Sequence, residues 1–164
     1  MALWGDSSGA HTVLMAGITG DGEPDADLFG SAVSASVRCM VDWYGPTDFG
    51  TMNTMPSSQN HTDPDCPEGF EIGRNSVLDR PDLSHAASPL TWLSEDRKVP
   101  PLLLMHGGRD MLVPFDQSCR LYRRMKELGM DVTFYKLEDA NHGFLGFNND
   151  RILDIVESFL RKHL

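Results

Sequence analysis

The chain has 164 residues, of which 40% are hydrophobic, and this length accommodates one domain with a buried core. Its net charge of −10 and its isoelectric point near 4.8 argue against nucleic acid or an anionic membrane surface as a partner, because both bind basic faces. No apolar run approaches the roughly 20 residues that span a bilayer, and no signal peptide is visible after Met1. The default expectation is therefore a cytoplasmic protein without a membrane span.

The beginning of the chain centres on one serine. Residues 1–4 predict the end of a buried strand, and residues 5–9 (Gly-Asp-Ser-Ser-Gly) have the form Gly-x-Ser-x-Gly that is typical of a sharp strand-to-helix turn. Such a turn exposes the hydroxyl of Ser7, holds this residue in a sparsely populated backbone conformation, and crowds the backbone at Gly5 and Gly9.

The following residues predict alternating helices and strands, interrupted once. An apolar set at helical spacing predicts a helix over Ser8–Ile18, and the Gly- and Asp-rich run Thr19–Asp27 predicts the loop that ends it. Three further strands are predicted at Val37–Trp43, Leu102–Met105 and Val132–Leu137, and two long helices at Phe115–Leu128 and Asn149–Lys162.

The segment from Gly50 to Val99 differs in composition, because prolines break it repeatedly and Ser, Asn and Asp fill the spaces. Short helical turns are predicted at Glu68–Gly73 and Pro81–Ala87. We interpret this segment as a lid-like insertion within a single domain of residues 1–164, since a loop of this length in a compact domain is usually functional or disordered.

The order of these elements predicts an α/β fold with a mostly parallel sheet of about four strands, flanked by helices, and an insertion after the second strand. Right-handed crossovers place all loops that follow strands at one edge of such a sheet. Ser7, Asp110 and His142 all lie in these loops, so we expect them to converge.

A serine, a histidine and an aspartate in one place are the groups needed for nucleophilic catalysis. A serine hydroxyl needs a base to remove its proton, and a carboxylate fixes the tautomer of that base. The chain order Ser, Asp, His is the order of α/β-hydrolases. The predicted catalytic residues are Ser7 as nucleophile, His142 as general base and acid, and Asp110 as orienting acid. This mechanism requires neither a cofactor nor a metal.

Other polar residues have more ordinary interpretations. His106 is expected to pack or to hydrogen-bond locally, and His11 to lie near Ser7 but to be held away from its hydroxyl by the start of the helix. Asp48 is an alternative orienting acid, from the end of the second strand. Three histidines lack supporting neighbours in the sequence: His61, His85 and His163.

The cysteines match neither a zinc spacing nor a disulfide framework. Cys39 falls in an apolar strand and is expected to be buried. Cys66 falls in a polar loop and is expected to be exposed, and a pairing of Cys66 with Cys119 stays open because sequence does not fix connectivity.

Several motifs together resemble the esterase and lipase superfamily of α/β-hydrolases, most closely bacterial acetyl-xylan and feruloyl esterases and related carboxylesterases. These motifs are Gly-Asp-Ser-Ser-Gly-Ala-His, Val-Asp-Trp-Tyr-Gly-Pro-Thr-Asp, Leu-Leu-Met-His-Gly-Gly-Arg-Asp and Asn-His-Gly-Phe. The resemblance implies that Ser7, Asp110 and His142 form the triad and that the backbone amide of Ser8 is one oxyanion donor.

The resemblance also implies a departure. Proteins of this superfamily carry several strands and a His-Gly-Gly-Gly-like oxyanion loop before the nucleophile, and these 164 residues contain neither. We therefore expect the chain to be the C-terminal portion of a larger esterase. Its first strand would then be an exposed edge, which favours a homo-oligomer that pairs through it.

The sequence thus predicts a serine carboxylic-ester hydrolase that acts through an acyl-enzyme on small or carbohydrate-linked esters. Trp43, Tyr44 and Trp92 are predicted to line the substrate pocket. Two alternatives stay open, namely a peptidase-type α/β-hydrolase fragment and a catalytically inactive fragment that only self-associates.

Overall fold

The computed structural model describes residues 1–20 and 36–164, and its centre is a parallel sheet. Four strands form this sheet in the order β1-β2-β3-β4, and each adjacent pair is parallel. They are Ala2–Asp6 (β1), Cys39–Trp43 (β2), Leu102–Gly107 (β3) and Val132–Leu137 (β4). The predicted fold class is confirmed.

Helices separate the strands along the chain. They are Ser8–Thr19 (α1), Pro67–Glu71 (α2), Pro81–Ala86 (α3), Asp116–Glu127 (α4) and Asp150–His163 (α5), with short 3₁₀ turns at Phe49–Thr54 and Pro89–Trp92. Most of the loop predicted at Thr19–Asp27 lies outside the described residues. None of the helices in the described part of the chain is long and apolar enough to cross a membrane.

The two central strands are buried on both faces, which explains their continuous apolar sequences. Leu102 and Leu104 of β3 face one way and pack in a cluster with residues of α1 and α4, such as Leu14 and Leu121. Leu103 and Met105 face the other way and pack with residues of α5, such as Val156. Helices on both faces therefore hold the ends of β2 and β3 in place.

The segment between β2 and β3 packs against the sheet domain through polar contacts. The hydroxyl of Thr47, near the start of this segment, donates to the carbonyl of Gln117 in α4 at 2.8 Å. Within the segment, the carbonyl of Ala87 accepts a 2.7 Å hydrogen bond from Nε2 of His11 in α1. These contacts join the segment to helices that follow two different strands.

The cysteines are all free thiols in this structure, with Cys39 buried as predicted. The prediction that Cys66 is exposed is wrong, since this residue is 5% exposed. It is the N-cap of α2, where the amide of Gly69 donates to its sulfur at 3.3 Å. An N-cap side chain satisfies one of the free amides at a helix start, and the Cys66 sulfur has this role here.

The tight packing between β1 and α1 yields a first prediction. A Cβ at Gly5 would overlap the carbonyl of Gly9 and lie 2.7 Å from the amide nitrogen of Ala10. Gly5→Ala should therefore lower the free energy of unfolding by about 1–3 kcal/mol, the usual cost of overpacking. Urea unfolding of the 164-residue chain measures this change.

Gly9→Ala is the matched control, because a Cβ at Gly9 meets only the Asp6 side chain at 3.9 Å. Its effect should stay within about 0.5 kcal/mol, as for most surface substitutions. Equal destabilisation by both substitutions would contradict the prediction. In the structure, the crowding expected at both glycines is present at Gly5, whereas an added Cβ at Gly9 would have space.

Candidate active site

Ser7 lies in a strained turn between β1 and α1. Its backbone has φ 51° and ψ −123°, a conformation that residues other than glycine rarely adopt. The Ser7 amide donates to the carbonyl of Trp43 at 2.9 Å, and the Ser7 carbonyl accepts from the amide of His11 at 3.1 Å. The predicted backbone strain is confirmed, and the neighbouring strand and helix hold it.

The structure brings His142 to this turn from the loop after β4. Its Nε2 lies 2.9 Å from the Ser7 hydroxyl oxygen, although the two residues are far apart in the sequence. The ring of Tyr44 packs edge-on against the His142 ring, with 4.7 Å between centroids. The imidazole is thus in hydrogen-bonding reach of the serine and is supported on one face by an aromatic ring.

Asp110 joins the other side of the same imidazole. Its Oδ2 lies 2.8 Å from Nδ1 of His142, and its Oδ1 accepts hydrogen bonds from the amides of Leu112 and Val113, each at 2.9 Å. The side chain is fully buried. The three residues predicted as a triad are therefore in one hydrogen-bonded chain.

His106 supplies a further contact to Asp110. Its Nε2 lies 3.2 Å from Asp110 Oδ2 and 3.0 Å from the carbonyl oxygen of Val113, both of which accept. Nε2 therefore carries a proton, and Nδ1 lies in hydrogen-bonding distance of the Ser118 hydroxyl, at 2.7 Å. His106 hydrogen-bonds locally, as expected, but the sequence interpretation missed that its partner is Asp110. The i, i+4 spacing of these two residues was the available signal.

These hydrogen bonds set the charge of Asp110. Burial alone would raise the pKa of this carboxyl, but the hydrogen bonds from His106 and His142 outweigh burial and lower the pKa to about 2. Asp110 is therefore ionised throughout the neutral range. An ionised carboxylate at Nδ1 holds the His142 proton there and leaves Nε2 to face Ser7.

Ser8, whose amide was predicted as an oxyanion donor, is the first residue of α1. Amides in the first turn of a helix have no partner within the helix, and they carry the positive end of its dipole. Asp48, the alternative acid, lies 3.9 Å from Arg120, whereas Asp110 is the carboxylate in contact with His142.

The aromatic residues predicted to bind substrate are mostly packed inside. Trp43 is 3% exposed and Tyr44 is fully buried. The Tyr44 hydroxyl donates to Asp6 at 3.3 Å, and burial together with this carboxylate raises the pKa of Tyr44. Trp92 donates its indole N–H to the carbonyl of Ala86 at 2.9 Å. The structure thus assigns packing contacts to all three, and their role in substrate binding stays a prediction.

His11 occupies the position expected of it, near the turn but engaged elsewhere. Its ring stacks on Phe49 with 5.0 Å between centroids, in addition to its hydrogen bond to Ala87. Among residues 1–20 and 36–164, no group of three or more His, Cys, Asp and Glu side chains could hold a metal ion.

Comparisons with known proteins place the chain in a family. A sequence model of the BD-FAE family matches residues 1–125. The esterases LipC and LipQ of Mycobacterium tuberculosis are 31% and 28% identical over 147 residues, which are 88% of this chain but 34% and 32% of theirs. The chain therefore spans about a third of the length of these curated relatives.

Solved structures agree with the sequence relatives. A structure described as a truncated form of a carbohydrate esterase from gut microbiota superposes with a TM-score of 0.83 at 28% identity, covering 98% of this chain and 58% of that one. The fold and the relatives together assign the chain to the esterase class of α/β-hydrolases. Within that class, the chain belongs to the BD-FAE family.

The low pKa of Asp110 yields a second prediction. A carboxyl whose pKa falls from 3.8 to about 2 on folding stabilises the folded state above pH 4, and this contribution is lost as the pH falls through 2. Its size is on the order of 2 kcal/mol. Asp110→Asn should therefore destabilise the protein at neutral pH, and its difference from the wild type should shrink between about pH 5 and pH 2.

Urea unfolding at several pH values measures this difference, and Asp139→Asn is the control. The Asp139 side chain is 82% exposed in an ion pair with Arg109, so its removal should have little effect at any pH. A wild-type-to-Asp110→Asn difference that does not change with pH would contradict the prediction.

Proposed function

We propose that this chain hydrolyses carboxylic esters through an acyl-enzyme formed on Ser7. The observation that carries the proposal is the continuous hydrogen-bond path from the Ser7 hydroxyl to Nε2 of His142 at 2.9 Å, and from Nδ1 of His142 to Asp110 at 2.8 Å. A hydroxyl, an imidazole and an ionised carboxylate in this order form a nucleophile, a base and an orienting acid.

The chemistry follows from these contacts. His142 Nε2 takes the Ser7 proton as the serine oxygen attacks the ester carbonyl, and Asp110 stabilises the imidazolium that forms. The imidazolium then gives this proton to the departing alcohol, which leaves an acyl group on Ser7. A water molecule repeats the sequence and releases the acid. The amide of Ser8, at the positive end of α1, is a donor to the oxyanion.

We propose small or carbohydrate-linked esters as the substrate class, with residues 50–99 as a lid over the site. Two kinds of relative support this choice. LipC and LipQ are esterases, and the solved structure with a TM-score of 0.83 is a truncated form of a carbohydrate esterase. The hydrogen bond between Ala87 and His11, which lies one helix turn after Ser7 in the chain, supports the proposed position of the 50–99 segment.

The third prediction concerns Ser7. A fluorophosphonate probe should label the wild-type chain, and Ser7→Ala should abolish labelling and lower the hydrolysis of p-nitrophenyl acetate on the order of 10⁴-fold or more. Ser158→Ala is the control, because Ser158 is exposed on α5 and should leave both signals unchanged. Labelling that persists in Ser7→Ala would show that another residue is the nucleophile.

Parallel assays with p-nitrophenyl esters and aminoacyl p-nitroanilides separate the alternatives. A peptidase with the same three residues would cleave both kinds of substrate, whereas the proposed esterase would cleave the esters and leave the anilides intact. A folded wild-type sample that neither binds the fluorophosphonate nor hydrolyses either substrate would be the inactive form. That outcome would overturn the proposed function.

We also propose that the chain self-associates through β1, which lies at an edge of the described sheet. All residues of β2 are buried, whereas every residue of β1 retains some exposure, and Trp4 is 45% exposed. An apolar edge strand offers unpaired backbone groups to another chain.

The fourth prediction is a mass larger than the 18.2 kDa of one chain, measured by size-exclusion chromatography with light scattering. The apparent mass should rise with concentration, and Trp4→Lys should lower it, since a charge blocks edge pairing. A mass of one chain at every concentration would contradict the proposal.

A further inference from the structure

A second serine, histidine and acid lie together in the segment between β2 and β3. His61 Nδ1 is 3.0 Å from Oε2 of Glu68, and His61 Nε2 is 2.9 Å from the Ser57 hydroxyl. His61 is 2% exposed and Glu68 is 5% exposed. The sequence interpretation that His61 lacks supporting neighbours is therefore wrong. This cluster has the residue types of a catalytic triad, so the direction of its hydrogen bonds decides what it does.

The contacts of Nε2 exclude a role as a base. Besides Ser57, the Nε2 atom lies 2.9 Å from the carbonyl oxygen of Leu112, which can only accept. Nε2 therefore donates, and Nδ1 donates to the Glu68 carboxylate, so His61 is an imidazolium. The Ser57 hydroxyl in turn donates to the same Leu112 carbonyl at 2.9 Å.

The electrostatics agree with this assignment. Burial lowers the pKa of His61, but the hydrogen bond and the charge of Glu68 raise it by more. Burial raises the pKa of Glu68, and the hydrogen bond and the charge of His61 lower it by more. Glu68 is the charged group that faces His61, and the Cys66 thiol hydrogen-bonds to the same carboxylate.

His61 of this cluster and the neighbouring Ser58 bind the two peptide groups that contact Asp110. The first joins Met111 to Leu112: its carbonyl accepts from the amide and hydroxyl of Ser58, at 2.6 and 2.9 Å, and its N–H donates to Asp110 Oδ1. The second joins Leu112 to Val113: its carbonyl accepts from His61, and its N–H donates to the same oxygen.

Each of these peptide groups is planar, so fixing its carbonyl fixes the direction of its N–H. A cationic donor on the carbonyl also polarises the peptide, which strengthens the hydrogen bond that its N–H donates. Residues 57–61 therefore reach Asp110 through two backbone amides without touching its side chain.

We propose that His61, held by Glu68, is a positioning residue that orients Asp110 through the Leu112–Val113 peptide, with Ser58 acting in parallel on the Met111–Leu112 peptide. This inference rests on the proposed role of Asp110 in ester hydrolysis. It makes the segment between β2 and β3 a part of the catalytic framework, in addition to any cover that it gives to substrate.

The kinetic test compares two substitutions of His61 with one control. His61→Leu removes the donor to Leu112, His61→Gln keeps a donor but loses the charge, and His85→Gln replaces an exposed histidine of the same segment. With p-nitrophenyl acetate, His61→Leu should lower kcat by about 10- to 100-fold, the cost of a small misplacement, and leave KM within about twofold. His61→Gln should restore part of kcat, and His85→Gln should match the wild type.

The pH dependence adds a readout that a merely structural role would not change. While it is protonated, His61 donates a hydrogen bond to the Leu112 carbonyl. It loses this hydrogen bond as the pH rises through its raised pKa in the folded state. Wild-type kcat should therefore decline on the alkaline side, and this decline should be absent in His61→Gln. Unchanged kcat in folded His61→Leu, or an alkaline decline that persists in His61→Gln, would overturn the proposal.

Nuclear magnetic resonance separates this inference from the proposed function, because it needs no turnover. The backbone amide signals of Leu112 and Val113 should shift with the titration of the His61 ring in the wild type, and this component should vanish in His61→Gln. Amide signals that ignore the His61 titration would overturn the positioning role. If the amides follow His61 but Ser7→Ala is as active as the wild type, the coupling stands and the proposed function fails.

Discussion

Burying a carboxylate costs several kcal/mol unless hydrogen bonds replace the lost water, and the site is arranged around one such group. Asp110 has a fully buried side chain and four donors: the rings of His106 and His142 and the amides of Leu112 and Val113. None of these donors can move far without leaving the charge uncompensated. The need to solvate one anion from within therefore fixes the loop after β3, the orientation of the His142 ring and, through that ring, the contact with Ser7.

The parallel sheet makes this arrangement possible. Because β1, β3 and β4 run in the same direction, Ser7, Asp110 and His142 all follow the carboxyl ends of their strands. The intervening strand β2 contributes backbone contacts: the Trp43 carbonyl accepts from the Ser7 amide, and the amide of Tyr44, which follows β2, donates to the carbonyl of Met105 in β3. The register of the three strand pairs thus sets the distances between the three side chains at the site.

The sequence was sufficient for the parts of the molecule that depend on local pattern and chain order. The uninterrupted apolar run of β3 predicted a strand buried on both faces, and the order of Ser7, Asp110 and His142 predicted their convergence. The sequence was insufficient where a side chain bonds to backbone that is distant along the chain. The irregular segment around His61 has no periodicity to show that Ser57 and Glu68 meet its ring, and the third partner of His61, at Leu112, is a carbonyl. The partner of Cys66 is likewise a backbone group, the amide of Gly69. Amide and carbonyl groups are present at nearly every residue, so the residue type at a position does not predict such a contact.

The peptide groups beside Asp110 have a consequence for how the sequences of related proteins vary. The contacts at positions 111 and 112 use only main-chain atoms, and the Met111 side chain is 49% exposed. Nearly any residue supplies the same N–H and C=O, and proline at 112 or 113 is the substitution that removes a donor. A position such as 111, whose backbone acts on the site while its side chain faces solvent, can therefore vary in sequence, so a map of conserved residues would pass over it.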